Sequence, residues 1–215
     1  MVVATEPKAE QRAPLTRDRI VHAALRYIDT HGLAGLSMHK LGAELNVKAM
    51  SLYKYVANKD DLLDGVVEEL WLEVEHGAPA QADWRDGYRS FARALRDMVY
   101  RHANAATLIT SHVSMPAASL RCIRTQIAAA SGNGVPEDRA YAWLRTITSY
   151  ALGTALNDVA WGAGQETCQA RTVAELLRAG IPPDLAEVAE IFCGQADAEA
   201  QFELGLGLML RGIDT

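Results

Sequence analysis

Apolar residues recur along this chain at three- and four-residue spacing, and no stretch alternates apolar with polar as a half-buried strand would. Ile20, Ala24 and Ile28 share one face of a helix that a Thr16 N-cap opens and Gly32 stops after about His31. Ser37 is a second N-cap, with Leu41 and Leu45 one turn apart behind it. Asn46 follows, the non-glycine residue that best tolerates a left-handed backbone, so the helix ends there. Val47 and Leu52 hold a third helix, roughly residues 48–53, across the second. Two short helices joined so tightly predict a helix-turn-helix, and the first helix completes a three-helix head.

Asn58, with Asp61 three positions on, caps a fourth helix that reaches about Glu75. Its apolar face (Leu62, Leu63, Val66, Val67, Leu70, Val74) is long enough to touch both the head and whatever follows. Tyr88, Phe91, Leu95 and Met98 mark a helix over 84–102. Further helices are expected over 104–112 and 117–131, the latter closed by Gly132-Asn133-Gly134. Pro136 opens a long one to about Trp161. A looser connection with a short helix at 173–178 leads to two more, near 184–193 and 198–213. The fold class is all-α: a disordered arm over 1–14, the head over 15–60 and a helical body over 61–215.

Glycine inside a helix costs about 1 kcal/mol relative to alanine. Gly205, Gly207 and Gly212 in the last helix, and Gly153 in the long one, therefore call for close approach of another helix. The long and last helices are expected to form a four-helix bundle with their copies in a homodimer.

Charge changes the picture. The formal net charge is −6, which taken as uniform would oppose nucleic acid. Residues 1–60 nevertheless hold nine lysines and arginines against six acids, a net of +3 that leaves −9 on the remainder, and every lysine lies in that first span. A basic head on an acidic body turns the head toward phosphate. The outward face of the third helix fits that partner. Lys48, Met50, Ser51 and Tyr53 suit base edges, while Ser37, Lys54, Tyr55 and Lys59 suit phosphates, and His39 of the second helix is a further candidate for contact with DNA. Lys59 lies beside a helix start whose free N–H groups attract an anion. Arg17 and Arg19 stand near the start of the first helix, either within reach of a phosphate or simply solvated.

No GxSxG, GxGxxG, P-loop, HExxH or clustered Cys/His motif occurs. The six histidines (His22, His31, His39, His76, His102, His112) are scattered, and the acid pairs Asp60-Asp61 and Glu68-Glu69 are adjacent rather than facing. A non-enzyme with no cofactor and no metal is expected. Cys122, Cys168 and Cys193 are far apart without a CxxC pair, as core thiols of a reducing cytoplasm would be. No apolar stretch approaches membrane-spanning length and the first 14 residues carry no secretory pattern, so a cytoplasmic chain with no membrane partner is expected.

The run from about Thr16 to Leu70, with GLAGLSMHKLGAELNVKAMSLYKYVANKDDLL at its core, resembles the tetracycline-repressor (TetR) family of bacterial transcription regulators. The Gly-Leu before the second helix, the Leu-x-x-x-Leu-x-Val spacing, the Leu-Tyr pair and the Asn-Lys-x-x-Leu-Leu helix start all agree in order. AQFELGLGLMLRGI is similar to the last dimerisation helix of the subgroup nearest the tetracycline repressor. The resemblance implies a homodimeric, ligand-responsive regulator, by family prior a repressor. Its two heads would meet a palindromic double-stranded DNA operator in successive major grooves until a small-molecule inducer bound among the body helices releases it.

Candidate inducer contacts, mixing apolar bulk with a few polar groups, are Tyr88, Phe91, Leu95, Met98, Ile109, His112, Met115, Trp143, Ile147, Tyr150 and Asn157. Where tetracycline-binding members place a histidine late in the linking helix, this chain has Glu75; their pocket asparagine falls on Phe91 and their magnesium-binding histidine on Ile109. An apolar or aromatic inducer is thus expected rather than a hydroxy-ketone–magnesium complex. The alternative is a helical small-molecule-binding protein without DNA-binding activity, which would leave Lys48, Tyr53 and Lys59 idle.

Overall fold

The computed structural model describes residues 14–112, 114–160, 180–193 and 197–212. The arm before Pro14, the helix expected over 173–178 and Cys168 lie outside the described residues. Among those described there is no strand, and ten α-helices follow one another. They are α1 (Arg17–His31), α2 (Met38–Glu44), α3 (Ala49–Leu52), α4 (Lys59–Gly77), α5 (Trp84–Arg101), α6 (Thr107–Ser111), α7 (Ala117–Gly132), α8 (Glu137–Ala160), α9 (Pro183–Cys193) and α10 (Ala198–Gly212), with a 3-10 turn at Leu33–Gly35 after α1.

Side-chain caps set the helix starts. Thr16 accepts from the Arg19 N–H at 3.2 Å, Ser37 from Lys40 at 3.3 Å and Asn58 from Asp61 at 2.8 Å. Asp83 does the same for α5, accepting from Arg85 at 2.8 Å. Gly32 stops α1 at φ +77°, its N–H donating to the Ile28 carbonyl at 2.7 Å.

Ile20, Ala24, Ile28, Leu41 and Leu52 make the core of the head, and Leu62, Val66, Leu70 and Val74 of α4 extend that core without a break into Tyr88, Phe91 and Leu95 of α5. Each such large apolar side chain contributes about 1.5–3 kcal/mol when fully buried. The fourth helix packs on α1 with one side and on α5 and α7 with the other, so head and body share one beam. Trp71, absent from the periodic set, is buried on that beam too.

The last helix is fastened to the body by one polar cluster. Arg96 of α5, almost fully buried, lies 4.7 Å over the Tyr100 ring and 4.8 Å over the Phe202 ring of α10, and pairs with Glu199. Tyr100 in turn donates to Asp158 of α8 at 2.6 Å, and Arg93 donates to Glu203 at 2.6 Å.

Gly205 of α10 lies against α8. A Cβ at Gly205 would overlap the Tyr150 hydroxyl and lie 2.6 Å from its Cζ. Tyr150 of α8 fills that notch, stacks on Phe202 at 5.5 Å and donates to the Phe202 carbonyl at 3.0 Å. The close approach that Gly205 permits is made within one chain by the Tyr150 ring of α8. A Cβ at Gly153 would meet nothing within 4 Å.

Gly205→Ala should lower the unfolding free energy by about 1–3 kcal/mol, because a methyl is forced into an occupied notch. Urea unfolding at fixed protein concentration measures it. Adding Tyr150→Ala should make the two costs less than additive.

Candidate nucleic-acid interface

The head is built around the turn between α2 and α3. Asn46 sits at φ +56°, the one non-glycine residue with positive φ among those described. Its N–H donates to Ala43 at 3.0 Å, and the next N–H, of Val47, reaches back to Gly42 at 2.8 Å. Together these are the paired bonds of a Schellman ending, with asparagine in the left-handed position. A Cβ at Gly42 would lie 2.9 Å from the Val47 carbonyl and 3.1 Å from the Ala49 nitrogen, so only glycine lets the start of α3 cross α2 this closely. Leu52 and Val56 then point into the core at 0% and 1% exposure.

What Leu52 buries on one side, its neighbours present on the other. Met50 is 74% exposed, Tyr53 44% and Tyr55 40%, unusual for large apolar side chains. Lys48, Lys54 and His39 are exposed beside them, and Ser51 is half-buried. The regular helix is shorter than the expected 48–53, covering Ala49–Leu52. Lys48 is its cap residue, and Tyr53 and Lys54 stand in the turn that follows. Ser37 spends its hydroxyl on capping α2.

Two side chains that read as phosphate-seeking cations are engaged within the protein. Lys59 donates to the Leu36 carbonyl at 2.9 Å, tying the start of α4 to the loop before α2. Arg17 is exposed at the surface of the head and is also engaged there. Its guanidinium grips Asp61 at 2.6 and 3.1 Å and donates to the Tyr55 carbonyl at 3.1 Å. The same Asp61 carboxylate accepts from the Ala57 N–H at 2.6 Å. Arg17 and the Ala57 amide hold Asp61 below its ordinary carboxylate range. This clamp fixes the backbone that carries Tyr53 and Tyr55. Its partners lie 38 and 44 residues from Arg17, and no local pattern in the sequence links them.

The body residues expected to contact an inducer are placed variously. Tyr88, Phe91, Leu95 and Ile147 are core, at most 1% exposed, and Tyr88 donates to the Ala140 carbonyl at 3.0 Å, with burial pushing its phenol up to about 12. Trp143 stacks on Trp84 at 5.5 Å. Ile109 is half-buried, and His112 meets Asp64 of α4 at 2.9 Å. Met115 is 65% exposed, and Asn157 is exposed on α8. Glu75 is taken by Arg121 at 2.8 and 2.9 Å.

Described residues line clefts on both sides of α4. One of about 350 Å³ runs between α1, α4 and the segment before α7, and one of about 200 Å³ between α4 and α5. Neither is lined by any of the expected inducer contacts. Among the described residues no group of three or more His, Cys, Asp or Glu is placed to hold a metal ion, and no helix is long and apolar enough to cross a membrane.

Comparison with known proteins accounts for nearly the whole chain. Residues 20–66 match the family described as bacterial regulatory proteins, tetR family, and residues 76–215 match the tetracyclin repressor-like C-terminal domain. A curated HTH-type transcriptional regulator of Saccharopolyspora erythraea is 28% identical over 208 residues, covering 97% of this chain and 88% of the relative. The crystal structure of a possible TetR family transcriptional regulator from Streptomyces coelicolor A3(2) superposes with a TM-score of 0.76 at 30% identity, over 92% of this chain and 98% of that one. ActR of Streptomyces coelicolor, in complex with actinorhodin, superposes with a TM-score of 0.74 at 29% identity, over 94% and 97%.

Replacing Arg17 by methionine should cost on the order of 1 kcal/mol at neutral pH, in the upper range for a partly exposed pair. Because Asp61 is held below its ordinary value, its contribution is present above the unfolded carboxylate pKa and lost as pH falls through the folded one. Urea unfolding of both proteins should therefore show the gap narrowing from pH 7 to pH 3. A gap that is unchanged at pH 3 would remove the ion pair from the account.

Proposed function

The chain belongs to the tetR family of bacterial regulatory proteins, and on that premise we propose that it acts as a homodimeric repressor, bound to a palindromic operator until a small apolar or aromatic molecule releases it. The observation that carries the reading is the two-sided third helix. Leu52 and Val56 are sealed in the core while Met50, Tyr53 and Tyr55 stand in solvent among lysines, in a head whose charge is opposite to that of the body.

In this reading residues 15–60 bind DNA and residues 61–215 bind ligand and dimerise. Lys48, Met50, Ser51 and Tyr53 reach base edges; Ser37, His39, Lys54, Tyr55 and Lys59 lie along the backbone. Lys59 keeps its Leu36 bond while its charge and the α4 N-terminus face a phosphate. The open flanks of α8 and α10, with Gly153, Tyr141, Leu204 and Leu208 turned outward, supply the surface for a second copy.

Inducer binding belongs among α5, α7 and α8, near Trp143, Tyr150 and Asn157. That ActR was crystallised with actinorhodin supports a small-molecule effector here as well. A magnesium-chelated ligand is disfavoured by Glu75 being paired with Arg121 and Phe91 being core, and by the resemblance, which puts Ile109 where tetracycline-binding members have a magnesium ligand. The inducer shifts the population toward a head spacing that no longer fits two half-sites, with α4 as the coupling beam. The role is binding rather than catalysis, in the cytoplasm where DNA is reached.

A mobility-shift assay on the DNA upstream of its own gene, at several salt concentrations, tests this directly. Tyr53→Ala should weaken operator binding about 5- to 150-fold, the range of one good base contact, with the dimer intact. Wild-type affinity in that variant would refute the base-reading role. Lys54→Ala should flatten the plot of log affinity against log salt by about one unit. An unaltered slope would take the lysine off the phosphates.

A further inference from the structure

The imidazole of His102 lies where the head meets the body. Its backbone ends α5, with its N–H donating to Met98 at 2.9 Å and its carbonyl accepting from Ala105 and Ala106 at 2.9 and 2.8 Å, so the main chain that carries the ring is fixed. The residue is 8% exposed. Nδ1 lies 2.9 Å from the Asp29 carboxylate of α1, and Nε2 lies 3.0 Å from the Glu73 carboxylate of α4. Arg101 of α5 pairs with the other oxygen of Glu73, and the second Asp29 oxygen is buried without a partner. Asn104 donates to the Asp29 carbonyl at 2.8 Å, adding a second hold on the same end of α1.

A neutral imidazole carries one donor, and an ionised carboxylate only accepts. Two carboxylates at bonding distance on opposite ring nitrogens therefore fit an imidazolium. With it, the two acids and Arg101 sum to neutrality; without it, one acid faces a lone pair in a buried place. The grip also has leverage. Asp29 stands in the last turns of α1, and Arg17 at the other end of that 15-residue helix holds the Tyr55 carbonyl, about 18 Å away at 1.5 Å per residue.

We propose that His102 is a positioning residue for operator binding: as an imidazolium it pins α1 to α4 and the body through Asp29 and Glu73, and its proton sets the head's attitude. This rests on the operator-binding reading above. Burial pushes the ring's pKa down, but the Asp29 and Glu73 carboxylates outweigh it and hold the group above the ordinary histidine value. The sign follows. The pin is whole below the unfolded histidine pKa and is lost as pH rises through the higher folded one.

The test pairs two variants with two readouts, using the full dimer and a duplex selected from a random library by the wild-type protein. His102→Gln has no proton to lose, so the operator's pH profile between pH 6 and pH 9 should lose a component of at least about fivefold, a typical coupling between linked sites. Asp29→Asn offers an amide donor to Nδ1, so a neutral ring then satisfies both neighbours; that variant should fold with the pin kept at high pH and its affinity level across the range. In proton NMR, the His102 ring should titrate above ordinary histidine in the wild type and fall toward it in Asp29→Asn. Identical pH profiles in wild type and both variants overturn the proposal, as does a ring that titrates alike with and without Asp29. If the wild type binds no duplex at any pH, the operator reading fails instead, and the ring titration alone decides the pin.

Discussion

A left-handed backbone at Asn46 is the constraint on which the head depends. Without it α2 could not end and α3 could not fold back across Gly42 within a few residues. The turn spends its two free N–H groups on the last carbonyls of α2, so it leaves no unpaired donor there, and it sends Leu52 inward. Once Leu52 is inward, the helical period turns Met50 and Tyr53 outward. The exposure of Met50 and Tyr53 is thus a geometric result of burying one leucine.

The fourth helix passes that arrangement on. Its apolar face is shared between the α1 core and the α5–α7 core, so tilting it disturbs both. Polar pins at its edge fix it in register: Asp61 to Arg17, Lys59 to Leu36, Asp64 to His112 and Glu73 to His102. Interiors packed this closely have discrete arrangements rather than a continuum. A ligand that favours one arrangement of the body can therefore be felt at the head.

Local features were legible in the sequence, because caps and periodicity are local physics. Thr16, Ser37 and Asn58 cap the helices they were expected to cap, Gly32 and Asn46 end the ones they were expected to end, and the all-α class and family follow from them. The tertiary pairs were not legible. Arg17 carries the same charge whether it meets a phosphate or Asp61, and His102 is one scattered histidine until folding brings Asp29 to it from 73 residues away. Gly205 showed that something must come close, but not that Tyr150 would be the neighbour. Among the expected inducer contacts, helical spacing could not separate Tyr88 and Phe91, which build the core, from Asn157, which stands exposed.

In the proposed complex a symmetric pair presents the surface around Tyr53 twice. A hydroxyl-radical footprint on the selected operator measures this most directly. Two protected patches of equal strength on one face of the duplex, centred about 34–36 Å apart, are the predicted result. A single patch, or protection without that spacing, would rule out the paired heads.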